Sequence, residues 1–157
     1  MLWFSYQIFA GRFNLKHGFS EINNAYRFSG TLSHNTFTVL AKRKLERFAE
    51  NATFGHMFQP GLDELASGFH LKGKWNTDFF KNTNPLIVEV GCGKGEYTTG
   101  LAEKYPHKNF IGIDKKGARM WRGAKTSSVE SMNNVAFVRI QAEHIIEIFA
   151  ENEVDEV

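Results

Sequence analysis

Apolar and polar positions change rhythm twice along the chain. Up to residue 40, six phenylalanines (positions 4, 9, 13, 19, 28 and 37) lie scattered among Ser, Asn, Gly and Thr, following neither a period of 3.6 nor a sustained period of 2. From Ala41 the stretch Lys42-Arg-Lys-Leu-Glu-Arg-Phe-Ala-Glu-Asn51 is charged and places Leu45, Phe48 and Ala49 at helical spacing, which predicts a short helix. Residues 51–84 mix Gly55, Pro60, Gly61, Gly68 and Gly73 with aromatics and end in a turn-rich Asn-Thr-Asn before Pro85, so they read as an irregular lead-in.

Beyond Pro85 the pattern becomes regular. Leu86-Ile-Val-Glu-Val90 is a short, nearly continuous apolar run bounded by Pro and Gly, as expected of a strand buried on both faces of a parallel sheet. Tyr97, Leu101 and Tyr105 then form one helical stripe, which Pro106 stops. Asn109-Phe-Ile-Gly-Ile-Asp114 predicts a second buried strand ending in a carboxylate, and Val135–Ile140 predicts a third. Between these two strands, Ala118, Trp121 and Ala124 mark a helix. Ile145, Ile146, Ile148 and Phe149 line another, and Val154-Asp-Glu-Val157 reads as a strand beginning. Alternation of strand and helix predicts a doubly wound α/β sheet of three to four parallel strands, of which the chain carries the amino-terminal half. The domain organisation read from this is a leader over 1–40, a lead-in over 41–84 and a nucleotide-binding segment over 85–157.

Composition narrows the class. At 42% hydrophobic and 23% charged residues the chain has globular proportions. Cys92 is the only cysteine, which excludes an internal disulfide and a cysteine zinc cluster and fits a reducing, cytoplasmic setting. No run of apolar residues is long enough to span a membrane, the start lacks the basic region of an export signal, and the histidines show no metal-ligand spacing. The net charge of +2 arises within the first forty residues, and the remainder is balanced. Within that remainder, charge is clustered: Lys42, Arg43, Lys44 and Arg47 form one basic group, while Lys115, Lys116, Arg119, Arg122 and Lys125 form another with no acid between them. Acidic residues alone follow Arg139, among them Glu143, Glu147, Glu151, Glu153, Asp155 and Glu156. Runs of like charge are ordinarily solvated faces.

The chemistry concentrates in Glu89-Val-Gly-Cys-Gly-Lys-Gly-Glu96, between a predicted strand and a predicted helix. Gly91, Gly93 and Gly95 allow a tight turn and close approach of backbone to a ligand. The spacing departs from a dinucleotide fingerprint, because Glu96 stands where its third glycine belongs. Glu89 would repel a pyrophosphate but suits a ligand carrying an ammonium group, and Asp114, at the tip of the second strand, suits ribose hydroxyls. Gln141 or Glu143, just after the third strand, has the chemistry to bind an adenine amine. A ribose and an ammonium without phosphate describe S-adenosyl-L-methionine (SAM). Glu89 and Asp114 are equally consistent, one by one, with helix capping and turn formation. Cys92 has no base beside it in the sequence and reads as a packing residue, as do Trp75 and Trp121.

Residues 86–114 resemble the first two motifs of class I SAM-dependent methyltransferases. The longer stretch, from the Lys-Leu-Glu-Arg-Phe-Ala lead-in through Lys115-Lys-Gly-Ala-Arg-Met-Trp-Arg122, resembles bacterial tRNA (guanine-N7)-methyltransferases, particularly the branch of Bacteroidetes-like sequences. That resemblance covers residues 41–157 and implies a Rossmann-like fold, SAM as cofactor, tRNA as partner, no metal, and methyl transfer to N7 of a guanine in the tRNA variable loop. Carried onto this sequence, it makes Glu89, Gly91, Gly93, Gly95, Asp114 and Gln141 the cofactor residues, with Gln141 standing where many members have Asp or Asn. Lys115, Lys116, Arg119 and Arg122 become candidates for tRNA phosphates.

The resemblance also places the family's active-site aspartate, in a Pro-Asp-Pro segment, beyond Val157. The expectation is therefore of an inactive fragment whose Leu86–Val90 strand is left as an exposed apolar edge. Residues 1–40 match nothing in the family and read as a misassigned start or a non-native leader. The alternatives are a SAM-dependent enzyme with another acceptor and a non-catalytic nucleotide-binding fragment, including an NAD-binding one.

Overall fold

All three apolar runs form strands of one parallel sheet in the computed structural model, which describes residues 34–157. The leader reading of residues 1–40 lies, as far as residue 33, outside the described residues. In chain order the elements are α1 (His34–Asn51), β1 (Met57–Phe58), α2 (Leu62–Ser67), a π-helical turn (Trp75–Phe80), β2 (Leu86–Val90), α3 (Glu96–Lys104), β3 (Asn109–Ile113), α4 (Gly117–Val129), β4 (Val135–Val138), a 3-10 turn (Ala142–His144) and α5 (Ile145–Ile148). The sheet runs β1-β4-β3-β2 with every pair parallel, the α/β architecture of a Rossmann-like fold.

The continuous apolar runs divide between two faces with a period of two. Leu86, Val88, Ile111, Ile113, Ala136 and Val138 enter one core; Ile87, Phe110, Val135 and Phe137 enter the other. Two-sided burial is why these strands carry no polar alternation. The second core is closed by α3 and α4 through Ala102, Met120 and Ala124. The first is closed by Leu65, Phe69, Leu71, Trp75 and Phe80 together with Ile148 and Phe149.

This corrects the irregular reading of residues 51–84. They supply the edge strand β1, whose Met57 and Phe58 pair with Phe137 and Val138, and a layer covering one face of the sheet. A two-residue strand and a single π turn are too short to leave a periodic signal in sequence. Trp75, fully buried, is the centre of that layer: its ring lies 5.3 Å from Phe58 and 5.8 Å from Phe149, and its indole N–H donates to the Ile148 carbonyl. Glu153 ties the layer down, accepting the backbone N–H groups of Gly73, Trp75 and Ala150 at 2.8–3.0 Å.

Helix faces also differ from expectation. Of the expected stripe, Leu101 and Tyr105 are half-buried against the second core while Tyr97 is 66% exposed, and α3 also buries Thr98, Thr99 and Ala102, because it lies so close to Gly112 of β3 that only small side chains fit between them. In α4 the buried line is Met120, Ala124 and Ser127, one step round from Ala118 and Trp121. The helix expected from Ala41 begins at His34, and Leu45 is exposed while Phe48 is half-buried. Helix α5 is a single turn that leaves Ile146 exposed.

The β2 edge is not bare. Glu156 forms a parallel bridge with Ile87, Val88 N–H donates to the Glu156 carbonyl at 2.9 Å, and the Asp155 carboxylate accepts Leu86 N–H at 2.7 Å. Leu86 and Val88 are buried, and only Val90 remains substantially exposed. Among the described residues no helix is long and apolar enough to cross a membrane.

Candidate functional site

The carboxyl ends of β2, β3 and β4 lie side by side, and the turns that leave them carry the candidate residues. Between β2 and α3, Gly91, Gly93 and Gly95 all hold positive φ (80°, 59° and 72°), a conformation that side chains with a Cβ resist. The backbone N–H groups of Gly91 and Cys92 both donate to the Ile113 carbonyl, which seats the loop on the end of β3. Gly95 and Gly123 let the loop and α4 close on Phe137. A Cβ on Gly95 would come within 2.5 Å of the Phe137 ring, and one on Gly123 within 2.9 Å of the Lys94 carbonyl. At Gly91, by contrast, nothing lies within 4 Å of where a Cβ would stand. The loop therefore offers bare backbone to open space at one glycine and packs tightly at another.

Asp114 follows β3 directly, and both its oxygens are engaged. Oδ2 accepts Gly93 N–H at 3.0 Å, and Oδ1 accepts Lys116 N–H at 2.8 Å at the start of α4. These two bonds are those of a turn-forming residue, and each carboxylate oxygen keeps lone-pair capacity for a second donor. Glu89 is half-buried on the face covered by α3, where its Oε2 accepts the Thr98 hydroxyl. Gln141 is exposed three residues beyond β4, its carbonyl accepting His144 N–H. Cys92 is buried, and desolvation, assisted by the charges of Glu89 and Asp114, pushes its thiol far above the ordinary range. Its burial in the second core fits the packing reading.

The chain matches relatives through this same region. A family model described as "Putative methyltransferase" matches residues 83–157. Over those residues the chain is similar to that methyltransferase family. A tRNA (guanine-N(7)-)-methyltransferase of Christiangramia forsetii is 58% identical over 118 residues, covering 74% of this chain and 53% of that protein. Proteins of the same name from Porphyromonas gingivalis and Bacteroides fragilis are 56% and 50% identical over 108 and 121 residues, covering 67% and 75% of this chain and 44% and 47% of theirs. The chain thus spans about half the length of the curated relatives it matches.

In this matched segment the basic residues fall into two settings. Lys115 and Lys116 are exposed at the start of α4. Arg119 and Arg122 line a groove of about 490 Å³ with Lys94, Trp121, Lys125 and Arg47. The two basic clusters of the sequence are therefore partly joined, because α1 lies along α4: Asn51 donates to the Gly117 carbonyl at 2.9 Å, and Trp121 Nε1 donates to Glu50 at 2.6 Å. Arg47 and Lys125 sit 4.8 and 5.1 Å from the Trp121 ring, so its packing is between cations. Arg122 pairs with Glu96 at 3.5 Å and Lys125 with Glu50 at 3.0 Å, whereas Arg119 lies over Gly93 and makes no ion pair among the described residues.

Two residues of the site, Thr98 and Lys94, escape sequence reasoning. Thr98 is hidden behind the stripe of Tyr97 and Leu101, and the small size of Gly112 opposite it carries the signal only once strand register is known. Lys94 looks like a mere spacer of the glycine loop until the groove beside α4 is formed.

Proposed function

We propose that the chain binds SAM over the glycine loop and that the protein to which it belongs transfers the methyl group to N7 of a guanine in the tRNA variable loop. The observation that carries this reading is the open backbone at Gly91, flanked by the Glu89 carboxylate and fixed through Gly93 to Asp114. A cationic, phosphate-free nucleoside fits that arrangement. Bare backbone admits close approach, Glu89 supplies negative charge for an ammonium, and Asp114 has lone pairs left for ribose hydroxyls. Gln141, at the same end of the sheet, is assigned to the adenine amine. Residues 85–157 form the cofactor-binding segment in this reading.

Bound there, the cofactor supplies an electrophilic methyl carbon on a sulfonium. Guanine N7 already offers a lone pair, so the residues here need no strong base; Glu89 and Asp114 orient, and the closed packing under Gly95 and Gly123 keeps the loop in one position. Lys115, Lys116, Arg119 and Arg122 would hold tRNA phosphates, setting orientation without reading sequence. The names of the relatives support tRNA as acceptor, and a cytoplasmic location follows from that substrate.

Titration calorimetry with SAM and with NAD tests the cofactor: heat with SAM alone is expected, and heat with NAD alone rejects the reading. Labelled SAM offered, with a version of the protein extended past residue 157, to tRNA and to a panel of protein and small-molecule acceptors tests the substrate, with label in tRNA expected.

A further inference from the structure

Glu89 and Gly112 are direct partners in the β2–β3 register and belong to the sheet face on which α3 packs. Because Gly112 has no side chain, the lane beside Glu89 is vacant, and Thr98 of α3 occupies it. A Cβ on Gly112 would stand 2.8 Å from the Thr98 hydroxyl. Thr98 is 1% exposed, and its hydroxyl has one hydrogen-bond acceptor, Glu89 Oε2. A buried hydroxyl that spends its proton on a carboxylate fixes the rotamer of that carboxylate, since losing the bond strands a desolvated donor.

We propose that Thr98 is a positioning residue for Glu89: it holds Oε2 and thereby directs Oε1 to the ammonium of the bound cofactor. The inference rests on the reading that Glu89 faces that ammonium. It assigns to the third residue of α3 a part in selecting a ligand that carries an amino-acid tail over one that lacks it. The hydroxyl is what matters, so Ser should serve and Val, of nearly the same shape, should not.

Calorimetry on the 157-residue chain with two probes separates these possibilities: SAM, and 5′-methylthioadenosine, which keeps the nucleoside but has no ammonium. Thr98→Val is expected to weaken SAM binding about tenfold, the loss of one hydrogen bond to a charged group, and to leave methylthioadenosine binding unchanged. Thr98→Ser is expected to restore SAM binding. A Thr98→Val protein that binds SAM like the parent, or that loses both probes equally, overturns the proposal; if Val at 98 prevents folding, Thr98→Ala provides the hydroxyl-free arm. Glu89→Gln isolates the underlying reading. Unchanged SAM binding in that variant shows that Glu89 does not face the cofactor, and the role given to Thr98 falls with it.

Discussion

Gly93 donates its backbone N–H to Asp114 Oδ2 at 3.0 Å, so the loop leaving β2 is fastened to the first residue beyond β3. The same carboxylate starts α4 through Lys116 N–H. Two crossovers are thereby referenced to one side chain, and the shape of the loop depends on residue 114 carrying two acceptors.

Asp114→Asn tests that dependence. An amide keeps one acceptor and turns an NH2 toward the other N–H, so unfolding in urea should show a loss of about 1.5 kcal/mol, within the range for a hydrogen bond to a charged group. SAM affinity should fall as well. An unchanged midpoint would mean that the two bonds contribute nothing net.

The glycines of the loop should separate by function. Gly95→Ala drives a methyl group into the Phe137 ring and adds left-handed strain, and a loss of at least about 2 kcal/mol is expected from the overpacking alone. Gly91→Ala meets no atom, so it should cost only about 1 kcal/mol of backbone strain while placing a methyl group where ligand must approach. Thermal melts and SAM calorimetry on both variants check this. A Gly91→Ala protein that binds SAM as tightly as its parent would remove the loop face from the site.

Stability should fall in mild acid through His56. The ring bonds to the Ala124 carbonyl at 2.9 Å and lies between Phe54 and Phe137; burial lowers its pKa from the ordinary 6.5, against the opposing pull of that hydrogen bond. A base with a depressed folded pKa binds fewer protons folded than unfolded. Its stability contribution is therefore full at about pH 7.5, begins to be lost near pH 6.5 and goes on falling toward the lowered value. The carboxylate of Glu50 is shifted below its ordinary 4.5 by hydrogen bonds from Lys125 and Trp121, so it stays ionised over this range and does not compete. Melting temperatures at about pH 7.5 and about pH 5.5 should differ more for the parent than for His56→Gln.

Charge reversal at Lys115, Lys116, Arg119 and Arg122 should weaken tRNA binding and lower the slope of log K against log salt, by about 0.7–0.9 for each phosphate no longer neutralised. Arg47→Glu, far away in sequence but in the same groove, should add to the effect. An unchanged slope leaves these cations as a solvated face.

Much of the sheet was legible because strands buried on both sides advertise themselves as unbroken apolar runs: Leu86–Val90, Phe110–Ile113 and Val135–Val138 all stood out. The order Glu89, three glycines, Asp114 was legible too, since backbone geometry at a strand-to-helix turn restricts residue type locally. What was not legible depends on partners distant in the chain. The placement of α3 follows from the missing side chain of Gly112, the strand at Met57 exists only because Phe137 and Val138 are there to pair with it, and Glu153 looks like one more acid of a solvated tail until Gly73 and Trp75 are brought to it.

The pairing of β1 with β4 bears on how the molecule is made. The earliest-synthesised strand of the sheet and the aromatic layer around Trp75 emerge from the ribosome before the surface they cover, and closing so long a loop has to await residues 135–153. Nascent chains halted before that point should leave Phe58, Phe69 and Phe79 open to protease and to chaperone, and protection should arrive in one late step.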